Sequence, residues 1–423
     1  MVTGSKHDYF SIASYYWPCT AQCNSSIEPF NCSEWCQPQN NFCNYSAEYF
    51  AGGTHGQWDG WEGCTLRGDL AVPTHCNLTT GLPWVPHDGY SVYAAEQTAW
   101  VRYLDRDTVD DLWEAVVPLT LAWWVTNDAK YLERSAFLFR YFFLSPATAM
   151  TPNLDFAQTL PGCHDGTGFQ KGWAETVDFA RFTYGLSCIQ LLEYGDEHAE
   201  VWTASDRAGM RTWVSAFLDW WLHSLHGAEA RKKSNNEGTA YTNTALAMAL
   251  YLQNSSLAQE IAMQDGKKHI EVQIAADGRL PQEDDEPGPA SFGYHLGDLW
   301  LLLIMARGCN MTGAFDAFNW HSPTNASASI RTALDWLAPY CSQSGVKRWP
   351  YDKVEAPQIC PCMELYRIAS LSFDNNKTYE KIAEAAPDGF ASVYDFGLGM
   401  KAWTHLVYGL PLMNTSGDLK TGD

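Results

Sequence analysis

The sequence predicts an all-α fold, an incomplete (α/α) toroid of antiparallel helix hairpins with a disulfide-rich loop inserted near the N-terminus. From Thr108 onward, apolar residues recur at helical spacing and strand-like alternation is rare. Several segments, such as Leu246 to Leu250, are apolar on more than one face, which is typical of inner helices in a double-layered fold. Seven of the 13 cysteines precede residue 80, which predicts the inserted loop.

The first helix hairpin follows from two apolar faces separated by a turn. Leu112, Val116 and Leu119 share one face, Asn127-Asp128 interrupts the pattern, and 131–142 carries the second face. Comparable patterns predict further helices at about 174–195, 207–225, 238–253, 257–275, 295–308, 329–340, 362–372, 376–385 and 396–408. No repeat of fixed period is visible, so the pattern does not favour a solenoid.

Length and composition favour one large globular domain over residues 1–423, with the Cys-rich, glycosylated insertion at 19–80 inside it. A hydrophobic content of 46% is enough for a large core and excludes global disorder. The formal charge of −22 repels phosphate backbones, so we expect no nucleic-acid partner. No apolar run reaches the length of a membrane-spanning helix, so we expect no membrane partner.

Sequons and cysteines predict a secreted protein. Nine Asn-x-Ser/Thr sequons are candidates for N-glycans, and they stand at Asn24, Asn31, Asn44, Asn77, Asn254, Asn310, Asn325, Asn376 and Asn414. The crowded early cysteines favour disulfides over zinc, and their odd total requires at least one unpaired or intermolecular thiol. The N-terminal Met-Val-Thr-Gly-Ser-Lys lacks the pattern of a signal peptide, which we expect to have been removed before this numbering begins.

Three long loops, at 18–100, 145–172 and 276–293, are rich in Gly, Pro and polar residues. Long loops in a compact helical domain are usually functional, although the first loop is also consistent with a stabilising cap without chemistry. Within the third loop, the acidic run from Glu283 to Glu286 is predicted to be solvated, and it lacks the spacing of an EF-hand. We expect neither a metal site nor a cofactor.

Five segments in the same order resemble the alginate lyase superfamily of α/α-toroid polysaccharide lyases. They are His7 to Pro18 continued by Leu82 to Gly89, Pro152 to Gly162, Lys233 to Tyr241, Asp277 to Glu283, and Ser291 to Tyr294. The resemblance runs from about Asp8 to Tyr351 and is interrupted by the insertion. It implies a secreted lyase that cleaves an acidic, uronate-containing polysaccharide, such as alginate or a glucuronan, by β-elimination without a cofactor.

The resemblance also implies a catalytic set. In this reaction an enzyme neutralises the uronate carboxylate, removes the proton on C5, and protonates the departing oxygen on C4. The family's Asn-Asn-His segment corresponds to a stretch that ends in Asn236 and Glu237, so Asn236 takes the neutralising role and Glu237 replaces the histidine. Tyr294 corresponds to the tyrosine that acts as base and acid, and Ala290 stands where the family has arginine.

Glu237 leaves three interpretations open: a protonated donor to the substrate carboxylate, an ionised base, or a local cap in a site that has lost activity. Further polar and aromatic residues in or near the loops are candidate substrate contacts, because amides and phenols bind sugar hydroxyls and rings stack on sugar faces. These candidates are Asn153, Gln158, His164, Tyr241, Arg279, His295, Trp17, Trp349 and Tyr351. Asn153 and Gln158 are equally consistent with bonding to their own loop.

Two other functions remain open from the sequence. A glycoside hydrolase on the same toroid would use Glu237 with a second carboxylate, such as Glu283 or Asp298, as acid and base. A non-catalytic carbohydrate-binding protein would keep the cleft without the catalytic charges. Products with new reducing ends but no unsaturation favour the first, and binding without turnover favours the second.

Overall fold

The structure is a computed structural model of the chain. It describes residues 7–12, 76–77, 82–83, 105–159, 182–193, 199–284, 291–324, 327–341, 349–351, 362–373, 377–385, 412–413 and 419–420. Most of the predicted insertion and the predicted helix at 396–408 therefore lie outside the described residues. The chain divides into two compact units, one formed by 1–111 and 147–175 and the other by 112–146 and 176–423.

The described part of the first unit contains short strands. β1 (Phe10–Ile12) pairs in parallel with β4 (Phe156–Thr159), and β2 (Cys76–Asn77) pairs antiparallel with β3 (Leu82–Pro83). The backbone N–H of Thr151 donates to the carbonyl of His7 and extends the link between β1 and the segment that leads to β4. Strand β4 falls within the predicted loop at 145–172, so that segment is partly regular structure.

The described helices begin with α1 (Asp105–Thr126), α2 (Ala129–Phe139), α3 (Phe182–Glu193), α4 (Ala204–His223), α5 (Leu225–Lys232) and α6 (Asn236–Tyr251). They continue with α7 (Ser255–Ile261), α8 (Lys267–Gln273), α9 (Pro281–Asp284), α10 (Ser291–Thr312), α11 (Ile330–Leu337), α12 (Cys362–Ser372) and α13 (Lys377–Ala385). A hairpin of β5 (Leu412–Met413) and β6 (Leu419–Lys420) follows. The all-α prediction is confirmed.

Several predicted boundaries are wrong. Helix α5 was not predicted, the single helix expected at 257–275 is divided by a π-helical turn at Ala262–Gly266, and α10 begins at Ser291 rather than 295. The predicted loop at 276–293 also contains α9. The additional turns in α5, α9 and the start of α10 are helical although a weak apolar pattern does not predict them.

Helices α1 and α3 run parallel within the second unit. Trp113 packs against Phe182, and the same indole fills the space that a Cβ on Gly185 would occupy. Further along both helices, the hydroxyl of Thr120 lies near the thiol of Cys188, where a hydrogen bond between them opposes the rise in the thiol's pKa. These contacts advance in the same direction along both helices, so α1 and α3 are parallel. Helix α2 lies between them in the chain and runs antiparallel to α1, with the hydroxyl groups of Thr120 and Ser135 in contact.

Helices α6 and α10 form a second parallel pair, and they carry most of the predicted site. Nδ2 of Asn243 donates to the carbonyl of Leu301 at 3.0 Å, and Leu246 packs against Gly308 further along both helices. Both helices are buried almost throughout, and α10 and the second half of α6 are mainly apolar. This pattern is that of inner helices covered on all sides, as the sequence predicts.

Outer helices run antiparallel to α6. Arg211 of α4 donates to the carbonyl of Tyr251 at the end of α6, whereas Trp221 at the end of α4 donates to the carbonyl of Tyr241 near its start. Helix α8 packs against another side of α6 and is also antiparallel to it. The parallel inner pair therefore brings the N-terminal ends of α6 and α10 to the same end of the second unit.

The described cysteines include one disulfide, Cys341–Cys362, which joins the segment after α11 to the start of α12. Cys188 and Cys309 are buried free thiols, in agreement with the requirement for at least one unpaired cysteine. Burial raises the pKa of both thiols to about 12, so they pack as small apolar groups. No helix in the described ranges combines the length and apolar content that crossing a membrane requires.

Candidate active site

The first turn of α6 is capped by a residue from a distant segment. Asn235 occupies the cap position with an extended backbone, but its side chain makes no capping hydrogen bond. Instead, the backbone N–H of Asn236 donates to Oε1 of Glu283 at 2.6 Å, and the bond is buried. A carboxylate at this position is favoured by the partial positive charge of a helix N-terminus. The predicted neutralising residue is therefore held at a defined helix end.

Gly238 lets the chain turn tightly into α6. A Cβ at this position would lie 2.2 Å from the carbonyl oxygen of Lys233 and 3.0 Å from Cε1 of His269. No side chain fits without a shift of backbone atoms. The glycine therefore permits the start of α6 to lie close to the carbonyl of Lys233 and to the ring of His269.

A buried polar layer supports this turn from α8. Oγ1 of Thr239 and the amide of Gln273 are 3.0 Å apart, and the same amide donates to the carbonyl of Asn235 at 3.1 Å. His269 lies 2.9 Å from Oγ1 of Thr242 through its Nε2. Burial, with a contribution from Lys268, lowers the pKa of His269 to about 3, so its ring is neutral at physiological pH.

Helix α9 carries two buried carboxylates, and the prediction of a solvated acidic run is wrong for this part of it. Glu283 is 1% exposed and Asp284 is 3% exposed. Glu283 binds the start of α6, whereas Oδ1 of Asp284 accepts from Nδ1 of His295 in α10 at 2.8 Å. One oxygen of each carboxylate accepts a hydrogen bond from a neighbouring helix, which offsets part of the cost of burial.

Aromatic rings enclose His295. Its imidazole stacks on Trp336 with ring centroids 5.0 Å apart and lies nearly perpendicular to the ring of Trp349, with centroids 5.5 Å apart. Trp349 is 2% exposed, and its Nε1 donates to Oγ of Ser291 at 2.8 Å. His295 is 0% exposed, and its Nε2 has no hydrogen-bond partner among the described residues. Trp349, a predicted substrate contact, is therefore part of the packing around this histidine.

The remaining predicted catalytic residues lie on the same two helix ends. Glu237 is half-buried in the first turn of α6, and Tyr294 is half-buried in the first turn of α10, directly before His295. Ala290 lies outside the described residues. The two helices are parallel, so Glu237 and Tyr294 both belong to the end that α9 joins.

Arg279 and Tyr351 form a half-buried polar pair at the edge of the aromatic group. Nη1 of Arg279 donates to the phenol oxygen of Tyr351 at 3.1 Å, and its Nε donates to Asp277 at 2.9 Å. Tyr351 also packs against Trp336. This arrangement leaves an arginine and an aromatic ring partly accessible beside the buried His295, a combination suited to an acidic sugar.

Tyr241 and Asp298 occupy deeper positions. The ring of Tyr241 is 1% exposed and stacks on Trp221 with centroids 5.8 Å apart, and burial raises its pKa above the usual range. Asp298 is 0% exposed, and burial raises the pKa of its carboxyl to about 7, an effect that the hydroxyl of Thr239 partly offsets. Both lie within the helical core below the first turns of α6 and α10.

Two predicted contacts belong to the first unit. Asn153 is half-buried, and its Oδ1 accepts from the backbone N–H of Asp155 at 3.1 Å, which is the local loop bond considered from the sequence. Gln158 lies in strand β4. His164 and Trp17 lie outside the described residues. All four remain predictions.

Sequence reasoning missed the roles of Asp284 and Trp336. Asp284 was assigned to solvent with its acidic neighbours, and Trp336 lies on a helix, where core packing is the usual expectation. One signal was available for α9: Pro281 precedes two acidic residues, a pattern that favours the first turn of a helix.

A groove at the opposite end of the inner helices lies away from these residues. It lies between α3, α6 and α10, and residues such as Gln190, Asn243 and Arg307 line it. None of the predicted site residues lines this groove. Within the described ranges, no group of three or more His, Cys, Asp or Glu side chains is arranged to hold a metal ion.

Comparisons with known proteins identify a family by sequence and a related fold by structure. The family model described as alginate lyase matches residues 2–349. Among solved structures, an alginate lyase from Bacteroides ovatus matches with a TM-score of 0.66 and 24% identity, over 96% of this chain and 86% of that chain. This likeness shows the all-α toroid fold. No curated protein matches the sequence.

Proposed function

The chain belongs to the alginate lyase family, and from this premise we propose that it is a secreted polysaccharide lyase that cleaves a uronate-containing polymer, alginate or a glucuronan, by β-elimination. One observation supports the proposal most directly. Asn236, at the capped start of α6, and Tyr294, in the first turn of α10, lie on parallel helix ends that α9 joins through buried hydrogen bonds. These are the two residue types that the reaction requires.

The elimination assigns a task to each residue. The amide of Asn236 donates to the carboxylate on C5, which withdraws charge and makes the C5 proton more acidic. Tyr294, as the phenolate, takes that proton, the C5–H electron pair forms the C4=C5 double bond, and the C4–O4 bond breaks. Tyr294 then returns a proton to O4. Atoms and charge balance without an oxidant, a reductant or added water.

The negative charge of the site requires compensation. Glu237 lies beside the neutralising amide, and the whole chain carries a formal charge of −22. A protonated Glu237 would donate a hydrogen bond to the uronate, and an ionised Glu237 would serve as the base. Arg279 is the described cation best suited to a second uronate carboxylate, because it is only half-buried and lies beside Tyr351.

Substrate contacts extend over several residue types. Tyr351 offers an accessible ring, and His295 and Trp349 fix the surface behind it. Tyr241 supports α6 from within. Asn153, Gln158, His164 and Trp17 are proposed as sugar contacts on the sequence resemblance alone.

Secretion and N-glycosylation are supported by the sequence chemistry. Nine sequons and 13 cysteines are far more than a cytosolic chain requires, and Cys341–Cys362 is a disulfide. We therefore propose an extracellular protein that carries N-glycans.

The hydrolase alternative is less well supported. It requires a second carboxylate that reaches the sugar together with Glu237. Glu283 is 1% exposed and already binds the backbone of Asn236, and Asp298 is 0% exposed. No contact in the described residues favours either as an acid that touches substrate.

The test is incubation of the folded protein with polymannuronate, polyguluronate and glucuronan, with a neutral glucan as the control polymer. We expect a new ultraviolet absorption from the C4=C5 double bond on at least one polyuronate and none on the glucan. New reducing ends without that absorption would indicate a hydrolase. Binding without turnover would indicate a non-catalytic protein.

A further inference from the structure

Two adjacent carboxylates link the ends of the helices that carry the proposed catalytic residues. Oε1 of Glu283 accepts from the backbone N–H of Asn236, and Oδ1 of Asp284 accepts from Nδ1 of His295. We propose that Glu283 and Asp284 are positioning residues, which together set the distance between Asn236 and Tyr294. This inference rests on the proposed lyase function and names the residues that hold its catalytic groups in position.

Glu283 provides the helix cap that the residues next to α6 in the chain do not provide. Asn235, at the cap position, makes no side-chain capping bond, so the first N–H groups of α6 need another acceptor. Glu283 supplies it at 2.6 Å, and the residue is 1% exposed. Charge-assisted bonds of this length are strong and directional, so the backbone of Asn236 follows Glu283.

Asp284 fixes the other helix. It orients the imidazole of His295, which stacks on Trp336 and lies nearly perpendicular to the ring of Trp349. Tyr294 precedes His295 in the chain, so the backbone that carries the phenol is fixed by the same contacts. Displacement of the imidazole would therefore displace Tyr294.

The segment that bears both carboxylates is itself anchored. Leu280 is 1% exposed, and its carbonyl accepts from the backbone N–H groups of Glu283 and Asp284, each at 3.0 Å. Pro281, the first residue of α9, restricts the turn further. A rigid support of this kind matters because a misplacement of about 1 Å costs an enzyme about 100-fold in rate.

Substitution of each carboxylate tests the proposal. Glu283→Ala and Asp284→Ala remove the acceptors, whereas Glu283→Gln and Asp284→Asn keep an oxygen that accepts the same bond. Glu193→Ala is the matched control, because Glu193 is a buried carboxylate that binds Tyr251 and Arg211 at the far end of α6. The measurements are kcat and KM on the polyuronate that the wild type cleaves, and amide hydrogen exchange.

For both alanine variants we expect kcat to fall about 10- to 100-fold with KM changed less than about threefold, and the amide variants to recover most of the rate. Exchange should increase across 235–241 in Glu283→Ala, but only near Tyr251 in Glu193→Ala, whose kcat should be unchanged. An active wild type with an unchanged kcat in Glu283→Ala would overturn the positioning role alone. A wild type that releases no unsaturated product would overturn the proposed function and this role together.

Discussion

Nδ1 of His269 accepts a 2.8 Å hydrogen bond from the side-chain amide of Gln273, one turn later in α8. Because an amide N–H can only donate, this nitrogen carries no proton, and Nε2–H donates to Thr242. The neutral tautomer is thus fixed by two bonds beneath the first turns of α6. A protonated ring would lose the bond to Gln273 and place a charge in a dry core.

We predict that His269 stays neutral down to pH 5 and that its titration destabilises the protein in acid. Its pKa is lowered from 6.5 to about 3 in the folded state, so its contribution to stability is complete above about pH 6.5 and is lost as pH falls toward 3. The unfolding free energy should fall by on the order of 1 kcal/mol per pH unit in that window.

Ring ¹⁵N shifts measured against pH check this prediction, with the exposed His223 as the reference for a ring that faces solvent. Protonation of the His269 ring in the folded protein at pH 5 would contradict it.

The helical part of the fold was predictable because the spacing of apolar residues indicates which helix faces are buried. Segments such as Leu246 to Leu250 are buried on most faces, and the expected helices appear there. Helix α5 was missed because it has few apolar residues and begins at a tight turn after α4. A Cβ on Gly227 would lie 1.8 Å from the carbonyl of Trp221, a contact that no local pattern predicts.

The candidate site was predictable only in part. The Asn236 and Tyr294 positions follow from the family resemblance, but the burial of Glu283 and Asp284 depends on donors that lie far away in the chain. Glu283 and its partner Asn236 are 47 residues apart. A charged run has the same composition whether water or a helix end satisfies it, so its burial requires the fold to be known.

We predict that loss of the Cys341–Cys362 disulfide lowers stability by about 3 kcal/mol, the value expected when a cross-link of this short sequence separation is removed from the unfolded chain. The double variant Cys341→Ala/Cys362→Ala should melt at a lower temperature than the wild type. Reductant should lower the melting temperature of the wild type by more than that of the double variant.

The control for the disulfide is Cys188→Ala, which removes a buried thiol without removing a cross-link. Its melting temperature should keep the full response to reductant. An unchanged melting temperature of the reduced wild type would contradict the stabilising role.

We predict that Asn254 carries a glycan and Asn310 does not. Asn254 is exposed at the start of α7. Asn310 is half-buried, its Nδ2 donates to Asp316 at 3.2 Å, and its Oδ1 accepts from the backbone N–H of Ala317 at 2.6 Å. A glycan on Nδ2 would take up one of these donor positions and crowd the turn.

Secretion from a eukaryotic host, enzymatic deglycosylation in heavy-oxygen water and peptide mass spectrometry measure the occupancy of each sequon. We expect the isotope label at Asn254 and none at Asn310. High occupancy at Asn310 in correctly folded protein would show that the turn tolerates the sugar.

We predict that Asp298→Asn removes a loss of stability that occurs as pH rises from about 4 to about 7. Burial raises the pKa of Asp298 from 3.8 to about 7, so the folded state favours the protonated carboxyl. The stability that this preference contributes is complete below about pH 3.8 and is lost as pH rises toward 7. The amide of the Asp298→Asn variant does not titrate, so this loss of stability does not occur in the variant.

Melting temperatures from pH 4 to pH 8.5 measure the effect. The wild type should lose stability relative to Asp298→Asn as pH rises, and the difference should level off above about pH 7. Asp219→Asn, which changes an exposed carboxylate, is the control and should run parallel to the wild type. A difference between Asp298→Asn and the wild type that does not vary with pH would show that Asp298 keeps the same protonation state in the folded and unfolded chains.

Substitution of the two proposed catalytic residues should separate their roles. Asn236→Ala removes the amide that neutralises the uronate in the transition state, and we expect kcat to fall about 100-fold or more. Tyr294→Phe keeps the ring but removes the oxygen that carries the proton, and we expect a loss of about 100- to 10,000-fold. Asn319→Ala and Tyr141→Phe change an exposed amide and an exposed phenol elsewhere and should leave the rate unchanged. Full activity of Tyr294→Phe would mean that Glu237 acts as the base, because it is the other group at these helix ends proposed to take the proton.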